Sequence, residues 1–457
     1  MSPWAVVAVS AVVAGYAAVS RRLVPTVVSG PMVLVACGLA IGPLGLGLLD
    51  RAHDAEVTRA LLESALALLL FTGAASVRRA DLRRERSLPV RLLAVGLPLT
   101  MLLGWLVAWA LLPGLGVWEL AVVAIVLAPT DAALGQQAVS DERVPALVRH
   151  GLGVESGLND GIVLPFFVLA LAAAGEGQQE GQGPLAVFLL SLVASGAIGV
   201  AIGWLGARGL HWSAERRLST PTWRQILVLT VPAISYALCA AADGSGFIGA
   251  WTAGLAFGSV LRGREREAAR DSGRQGAGAN HGAEANGAVA ADAVAAGAVT
   301  SGAVAAGDDR VGRGTVFCAQ LGELLAALSF LLFGAVILGP SLEVIDGRMV
   351  GYAVLSLTLV RMVPVAVALA GSGLRAPTVG YIGWFGPRGL ASLVFGLIAF
   401  EAALPGEVLL SGVVVVTVAL SVCLHGASAA FLGARYGAWY GRALSRDPGL
   451  REKTPAA

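Results

Sequence analysis

Hydrophobic residues gather into long runs along this chain, and polar residues collect in the short joints between them. A run of about 20 apolar residues is the length an α-helix needs to cross a bilayer. Thirteen runs approach that length, at 3–19, 25–48, 56–77, 89–112, 117–138, 145–174, 184–208, 223–241, 246–261, 315–339, 349–371, 377–400 and 407–433. Only Asp243-Gly244-Ser245-Gly246 separates the eighth from the ninth. The pattern predicts an all-α polytopic membrane protein of about thirteen transmembrane helices.

One segment departs from this rhythm. Residues 262–314 begin Arg262-Gly263-Arg264-Glu265-Arg266-Glu267 and continue as an Ala/Gly/Val-rich tract with Asn, Asp and a lone His281. Such a composition buries too little apolar surface to offset the entropy of folding, so a disordered cytoplasmic spacer is expected. The predicted organisation is 1–261 with nine helices, 262–314 as the loop, 315–433 with four helices, and 434–457 as a cytoplasmic tail.

Composition sharpens the class. With 56% hydrophobic and 14% charged residues, the chain is too apolar for a soluble globule, and a net charge of +2 gives no nucleic-acid signal. Its four cysteines (Cys37, Cys239, Cys318, Cys423) stand singly in apolar runs, which offers neither a disulfide framework nor a metal-ligand spacing. Lys453 is the only lysine, so arginines carry the charge bias. Alternate joints hold Arg21 and Arg22; Arg78, Arg79, Arg83, Arg84, Arg86 and Arg91; Arg143 and Arg149; Arg208, Arg216, Arg217 and Arg224; the 262–313 segment; Arg375; and the tail from Arg435 to Lys453. The opposite joints hold Arg51 and Arg348. By the positive-inside rule the N-terminus lies outside and the C-terminus in the cytoplasm. Met1-Ser2-Pro3-Trp4 lacks a basic start, so the first run is expected to be a span and no cleaved signal.

The chemistry concentrates inside the runs. Glu155 and Asp160 lie in the sixth, where an ionised group costs at least about 2.5–3.5 kcal/mol. Glu155 and Asn159 share one helix face, and Ser156 and Asp160 the adjacent one, so the four make one polar patch. Such groups can simply bond helices together, but two carboxylates in six residues point to function. The fifth run holds Pro129-Thr130-Asp131 and the twelfth Gly386-Pro387-Arg388-Gly389; each interrupts a helix at depth. Seven crossings separate them, so they run in opposite directions, as in an inverted-topology repeat with two crossing discontinuous helices. Arg361, far from either end of its run, is the expected partner of Glu155, whereas Arg388 would offset helix-end dipoles or line a water path. Glu63 is a weaker candidate. His150 and His425 lack ligand partners, and Asp243 and Thr252 receive no role.

Taken together, Pro129-Thr130-Asp131, Glu155-Ser156-Gly157-Leu158-Asn159-Asp160-Gly161, Arg361 and Gly386-Pro387-Arg388-Gly389 resemble the NhaP-type and sodium/proton exchanger branch of the monovalent cation:proton antiporters. The resemblance implies a non-enzymatic secondary transporter of the cytoplasmic membrane, with no cofactor, built as a homodimer with a dimerisation domain and a six-helix core that moves like an elevator. It implies Asp160 as the acid that takes either H⁺ or Na⁺, with Asp131, Ser156 and the Thr130 backbone as further ligands. Asn159 would support the site, and Glu155 with Arg361 would form a structural ion pair. In this family an Asn-Asp pair accompanies electroneutral exchange. Two positions depart from the family's pattern, Gly157 after Glu-Ser and Ala132 where Thr-Asp is commonly followed by Pro. Potassium/proton exchange, an uncoupled cation channel and an intramembrane aspartyl hydrolase using Asp131 and Asp160 are the competing readings.

Overall fold

A computed structural model describes residues 2–23, 26, 28–49, 51–76, 88–175, 184–279, 309–447 and 449–453. Each predicted run corresponds to a helix or to two half-helices. These are α1 (Pro3–Leu23), α2 (Gly30–Ile41), α3 (Arg51–Ser76), α4 (Leu88–Leu111), α5a (Val117–Val126), α5b (Ala132–Ser140), α6 (Ala146–Ala174) and α7 (Pro184–Glu215). There follow α8 (Pro221–Ala241), α9 (Gly246–Ala279), α10 (Asp309–Leu332, carried on to Ser341), α11 (Gly347–Ala368), α12a (Ala376–Trp384), α12b (Leu390–Glu401) and α13 (Glu407–Arg446). Among the described residues, nine helices are long and apolar enough to cross a bilayer, and α2, α5a and α12b are shorter apolar ones. The chain is a multi-pass, all-helical membrane protein.

Several bounds differ from expectation. The ninth helix continues to Ala279, so the first part of the segment read as disordered from 262 is helical; its Ala, Arg and Glu residues are good helix formers. Residues 280–308 lie outside the described residues, as do Arg78, Arg79, Arg83, Arg84 and Arg86 of the charge pattern. The helix read as ending near 433 runs to Arg446, which makes most of the expected tail helical. Two widened π-turns were not foreseen, at Leu92–Gly96 in α4 and Phe333–Leu338 in α10. Each lies just upstream of a proline, Pro98 and Pro340, which cannot donate to the carbonyl one turn back; the extra residue in the turn absorbs the mismatch.

Packing sorts the helices into two groups. In one, α4, α5, α6, α11, α12 and α13 pack on one another; in the other, α3 and α7–α10 do, with α2 laid on α10. The groups meet where α6 packs on α3 and α7, and where α12b packs on α3. Small residues make the tightest joint of the second group. On α7 a Cβ at Gly199 would strike Thr252 Oγ1 and Gly249 O of α9, and one at Gly203 would strike Ala253 O. In lipid, where burial of apolar surface gives no net drive, such backbone approach is what lets helices gain dispersion contact.

At one end of the molecule Arg59 of α3 reaches across the groups. Its Nε lies 2.7 Å from Glu63 Oε1 and its Nη1 2.7 Å from Glu401 Oε2 at the end of α12b, while Tyr236 OH donates to Glu63 Oε2 at 2.9 Å. Glu63 is therefore a member of this clasp and no part of the polar patch on α6.

Replacing Gly203 by Val is expected to lower the apparent melting temperature of the detergent-purified protein, an overpacking cost of about 1–3 kcal/mol. The same change at Gly196, where an added Cβ meets nothing within 4 Å, should leave it nearly unchanged.

Candidate functional site

The site is assembled where two interrupted helices cross. Backbone that leaves the helix inside a bilayer frees N–H and C=O groups, and each needs a partner from protein. Asp131 supplies several of them. Its Oδ1 accepts the Leu134 N–H (3.0 Å) and so caps α5b, and its Oδ2 accepts the Leu390 N–H (2.7 Å) and so caps α12b. Its own N–H donates to Pro387 O at 2.8 Å. In return, Ser392 Oγ at the start of α12b donates to Val126 O at the end of α5a (2.8 Å). Only glycine can stand at 389, because a Cβ there would overlie the Asp131 carboxylate.

The C-terminal end of α12a is held from α13. His425 Nε2 lies 3.0 Å from Trp384 O and Nδ1 3.1 Å from Ser421 O, and since a carbonyl only accepts, the ring donates to one or the other according to its tautomer. Nδ1 also lies 3.2 Å from Ser421 Oγ, which itself accepts the Arg388 N–H (2.7 Å). From the sequence, His425 is weighed only against metal ligation and Ser421 is passed over; the available sign is their i, i+4 spacing in an apolar run.

Three side chains on α6, those of Ser156, Asn159 and Asp160, face this crossing. Thr130 Oγ1 shares a hydrogen bond of 3.0 Å with Ser156 Oγ and accepts one of 2.7 Å from Asn159 Nδ2. Asn159 Oδ1 and Asp160 Oδ1 are enclosed and have no hydrogen-bond partner among the described residues. Such orphaned acceptors cost free energy and call for an explanation. A cavity of about 20 Å³ lies against Ser156, between Gly135 of α5b, Gly153 of α6 and Pro387 of the α12 break; that is room for about one water-sized guest.

Glu155 points the other way. Arg361 grips it through two parallel bonds, Nη1 to Oε1 at 2.6 Å and Nη2 to Oε2 at 2.9 Å, with the two side chains 2% and 3% exposed. Gly386 lets the α12 break pass over this pair, since a Cβ there would strike Arg361 Nε. Arg361 sits just beyond an unforeseen fault in α11 at Thr358, whose φ of −113° and ψ of −87° leave the helical region. Arg388 is wholly buried, gives Nη1 to Gly386 O at 2.8 Å, and lies within electrostatic reach of both Arg361 and Glu155.

The structure thus brings together Thr130, Asp131, Ser156, Asn159 and Asp160 on one side, and Glu155, Arg361 and Arg388 on the other. Each oxygen of Asp131 already accepts one backbone N–H, a capping role that the sequence reading does not give it. The donor set is oxygen throughout, which suits hard cations such as Na⁺ or K⁺. Three carboxylates (Asp131, Glu155, Asp160) stand against two guanidinium groups (Arg361, Arg388), which leaves one formal negative charge. Glu63 belongs to the clasp at α3, the Thr252 hydroxyl donates to Ile248 O, and Asp243 takes a left-handed turn conformation at φ 52°.

The family model described as sodium/hydrogen exchanger, transmembrane, matches residues 8–272. A probable Na⁺/H⁺ antiporter of Schizosaccharomyces pombe is 31% identical over 198 residues, 40% of this chain and 25% of that protein. Na⁺/H⁺ antiporter 2 of Zygosaccharomyces rouxii is 31% identical over 202 residues, 41% of this chain and 24% of that protein. The chain spans about a quarter of the length of these yeast relatives. Among solved structures, the sodium proton antiporter MjNhaP1 from Methanocaldococcus jannaschii at pH 8 superposes with a TM-score of 0.69 at 20% identity, covering 93% of this chain and 98% of that one. That likeness establishes the fold.

Removing one partner of the Glu155–Arg361 pair strands a buried charge. Glu155→Gln is expected to destabilise the protein by about 3–5 kcal/mol, and the double change Glu155→Gln/Arg361→Met to recover much of the loss. Melting curves of the purified single and double variants check this.

Proposed function

The chain belongs to the sodium/hydrogen exchanger family, and from that membership we propose that it is a secondary antiporter exchanging one Na⁺ for one H⁺ at a single competitive site. The observation that carries the reading is the enclosed Asp160 Oδ1, which lacks a partner and sits on the same helix face as Ser156 beside the crossing. An acid in that position satisfies itself by holding either a proton or a cation. It cannot hold both.

Each residue then has a part. Asp160 is the exchanging carboxylate. Ser156 Oγ and Thr130 lend neutral oxygens, and Asn159 orients the Thr130 hydroxyl through its bond of 2.7 Å. Asp131 acts chiefly through its charge, since Leu134 and Leu390 already hold its oxygens. The Glu155–Arg361 pair stays closed in both loaded states and keeps the helices α6 and α11 together.

Charge balance supports one-for-one exchange. The lone negative charge left by three carboxylates and two guanidinium groups is cancelled equally by H⁺ and by Na⁺, so either loaded form is neutral. The empty form is charged and is disfavoured from crossing a dry interior. Coupling follows without a separate device. Homodimeric assembly and an elevator movement of the group formed by α4–α6 and α11–α13 complete the reading and rest on the family resemblance. Orientation with the N-terminus out in the plasma membrane is supported by Arg143, Arg149, Arg208, Arg216, Arg217 and Arg375 at one set of helix ends, against Arg51 and Arg348 at the other.

Proton flux in acidified inside-out vesicles from a transporter-deficient bacterium tests the proposal. Added NaCl should drive proton efflux that is abolished in Asp160→Asn and unaffected by clamping the membrane voltage. A response to KCl alone would keep the mechanism and change the cation. Efflux surviving in Asp160→Asn would overturn the site, and no response to any alkali cation from inserted protein would overturn the antiporter.

A further inference from the structure

A second cavity, far larger than the one at Ser156, lies between α12a and the late part of α13. Pro377, Gly380, Tyr381 and Trp384 recur at helical spacing on the first helix, and Arg435, Tyr436, Trp439 and Arg442 do so on the second. They border an open groove of about 510 Å³. The space beside Gly380 is open, for a Cβ there would meet nothing within 4 Å.

Contacts along the groove fix its depth. Trp384, beside the α12 break, donates its indole N–H to Ser428 Oγ at 2.9 Å. Tyr381 stacks on Tyr436 with ring centroids 4.5 Å apart, and Tyr436 in turn on Trp439 at 5.5 Å. Arg375, just ahead of α12a, pairs with Asp447 at 3.1 Å. A nine-residue half-helix is about 14 Å long at 1.5 Å per residue, roughly half of a ~30 Å hydrocarbon layer. The groove therefore runs from mid-bilayer at Trp384 to headgroup depth at Pro377, and Arg435 and Arg442 stand at its shallow end.

Its chemistry is divided along that length. The hydroxyls of Tyr381 and Tyr436 are taken up by Ala138 O (3.3 Å) and Thr378 Oγ1 (3.0 Å), so these walls present ring faces. Arg435 and Arg442 are exposed, and neither guanidinium has a hydrogen-bond or ion-pair partner among the described residues. An apolar channel at acyl depth that ends in two free guanidinium groups at headgroup depth is complementary to one kind of molecule.

We propose that this groove binds an anionic phospholipid, with its phosphate held by Arg435 and Arg442 and an acyl chain laid along Tyr381 and Trp384. A free phosphate would engage the arginines and leave the aromatic wall uncovered. Because α12a leads into the break whose Pro387 carbonyl holds the Asp131 N–H, the lipid would steady one wall of the crossing.

The full chain, purified in neutral detergent, is titrated with phosphatidylglycerol, phosphatidylcholine or inorganic phosphate, while retained lipid is read by native mass spectrometry and stability by thermal unfolding. Phosphatidylglycerol is expected to stay bound and raise the melting temperature, and the other two probes to do neither. The double change Arg435→Gln/Arg442→Gln should weaken retention by at least ~10-fold, as loss of charge-assisted bonds implies, without lowering the lipid-free melting temperature. Gly380→Phe should block the groove while keeping both charges. Undiminished retention in either variant, equal protection by phosphatidylcholine or inorganic phosphate, or a second copy of the chain in place of lipid would overturn the proposal. None of these readouts requires ion transport, so failure here is distinct from failure of the antiporter reading.

Discussion

A bilayer offers no water to an opened helix, and that single constraint governs the centre of this protein. Two helices are interrupted at mid-depth, and the freed backbone is satisfied by the other interrupted helix and by α13. The Asp131 carboxylate joins the N-termini of α5b and α12b, whose positive dipole ends favour a negative charge between them. From Arg388 N–H through Ser421 and His425 to the Trp384 carbonyl, a second chain of hydrogen bonds steadies the opposite end of the break. The hydroxyls of Thr130 and Ser156 are placed by this joinery.

Once the backbone is satisfied, the charges sort themselves. Arg361 and Glu155 neutralise each other in a bidentate pair, and the cost of breaking such a buried pair makes it permanent. Arg388 lies at the Gly386 carbonyl beyond α12a, where a cation meets the negative end of a half-helix. Asp160 is left as the acid whose enclosed Oδ1 finds no hydrogen-bond partner among the described residues. In the proposed exchange Asp160 is the group that changes its state, while Asp131 keeps its helix ends and Glu155 keeps Arg361.

Much of this could be read from residue order alone. Pro129 and Pro387 declared the two breaks because proline removes a donor wherever it stands, and the step of seven spans from one to the other set their opposite directions. Arg361 declared its need for a counter-charge because a mid-helix arginine in an apolar run has few alternatives. The part played by Asp131 was less legible: its spacing showed a buried acid, but only the crossing shows that both oxygens are spent on N–H groups, one of them 259 residues away. The fault at Thr358 and the π-turns ahead of Pro98 and Pro340 were hidden for the same reason, since each depends on how neighbouring helices accept the strain. The helical course of α9 to Ala279 was masked by a low-complexity composition whose individual residues still favour a helix.

That sequence separation has a bearing on how the molecule is made. At a translation rate of about 5–20 residues per second, Asp131 enters the membrane roughly 13–50 s before Leu390 exists to donate its N–H. During that interval α5 carries an open break and a carboxylate with one cap missing, beside a polar α6 that has not yet met Arg361. The first six helices are therefore an unfinished object with its costliest groups exposed, and the second half of the chain acts as its completing template. Biogenesis must shelter the early half, and a stall in synthesis between the two breaks would leave a species ripe for quality control.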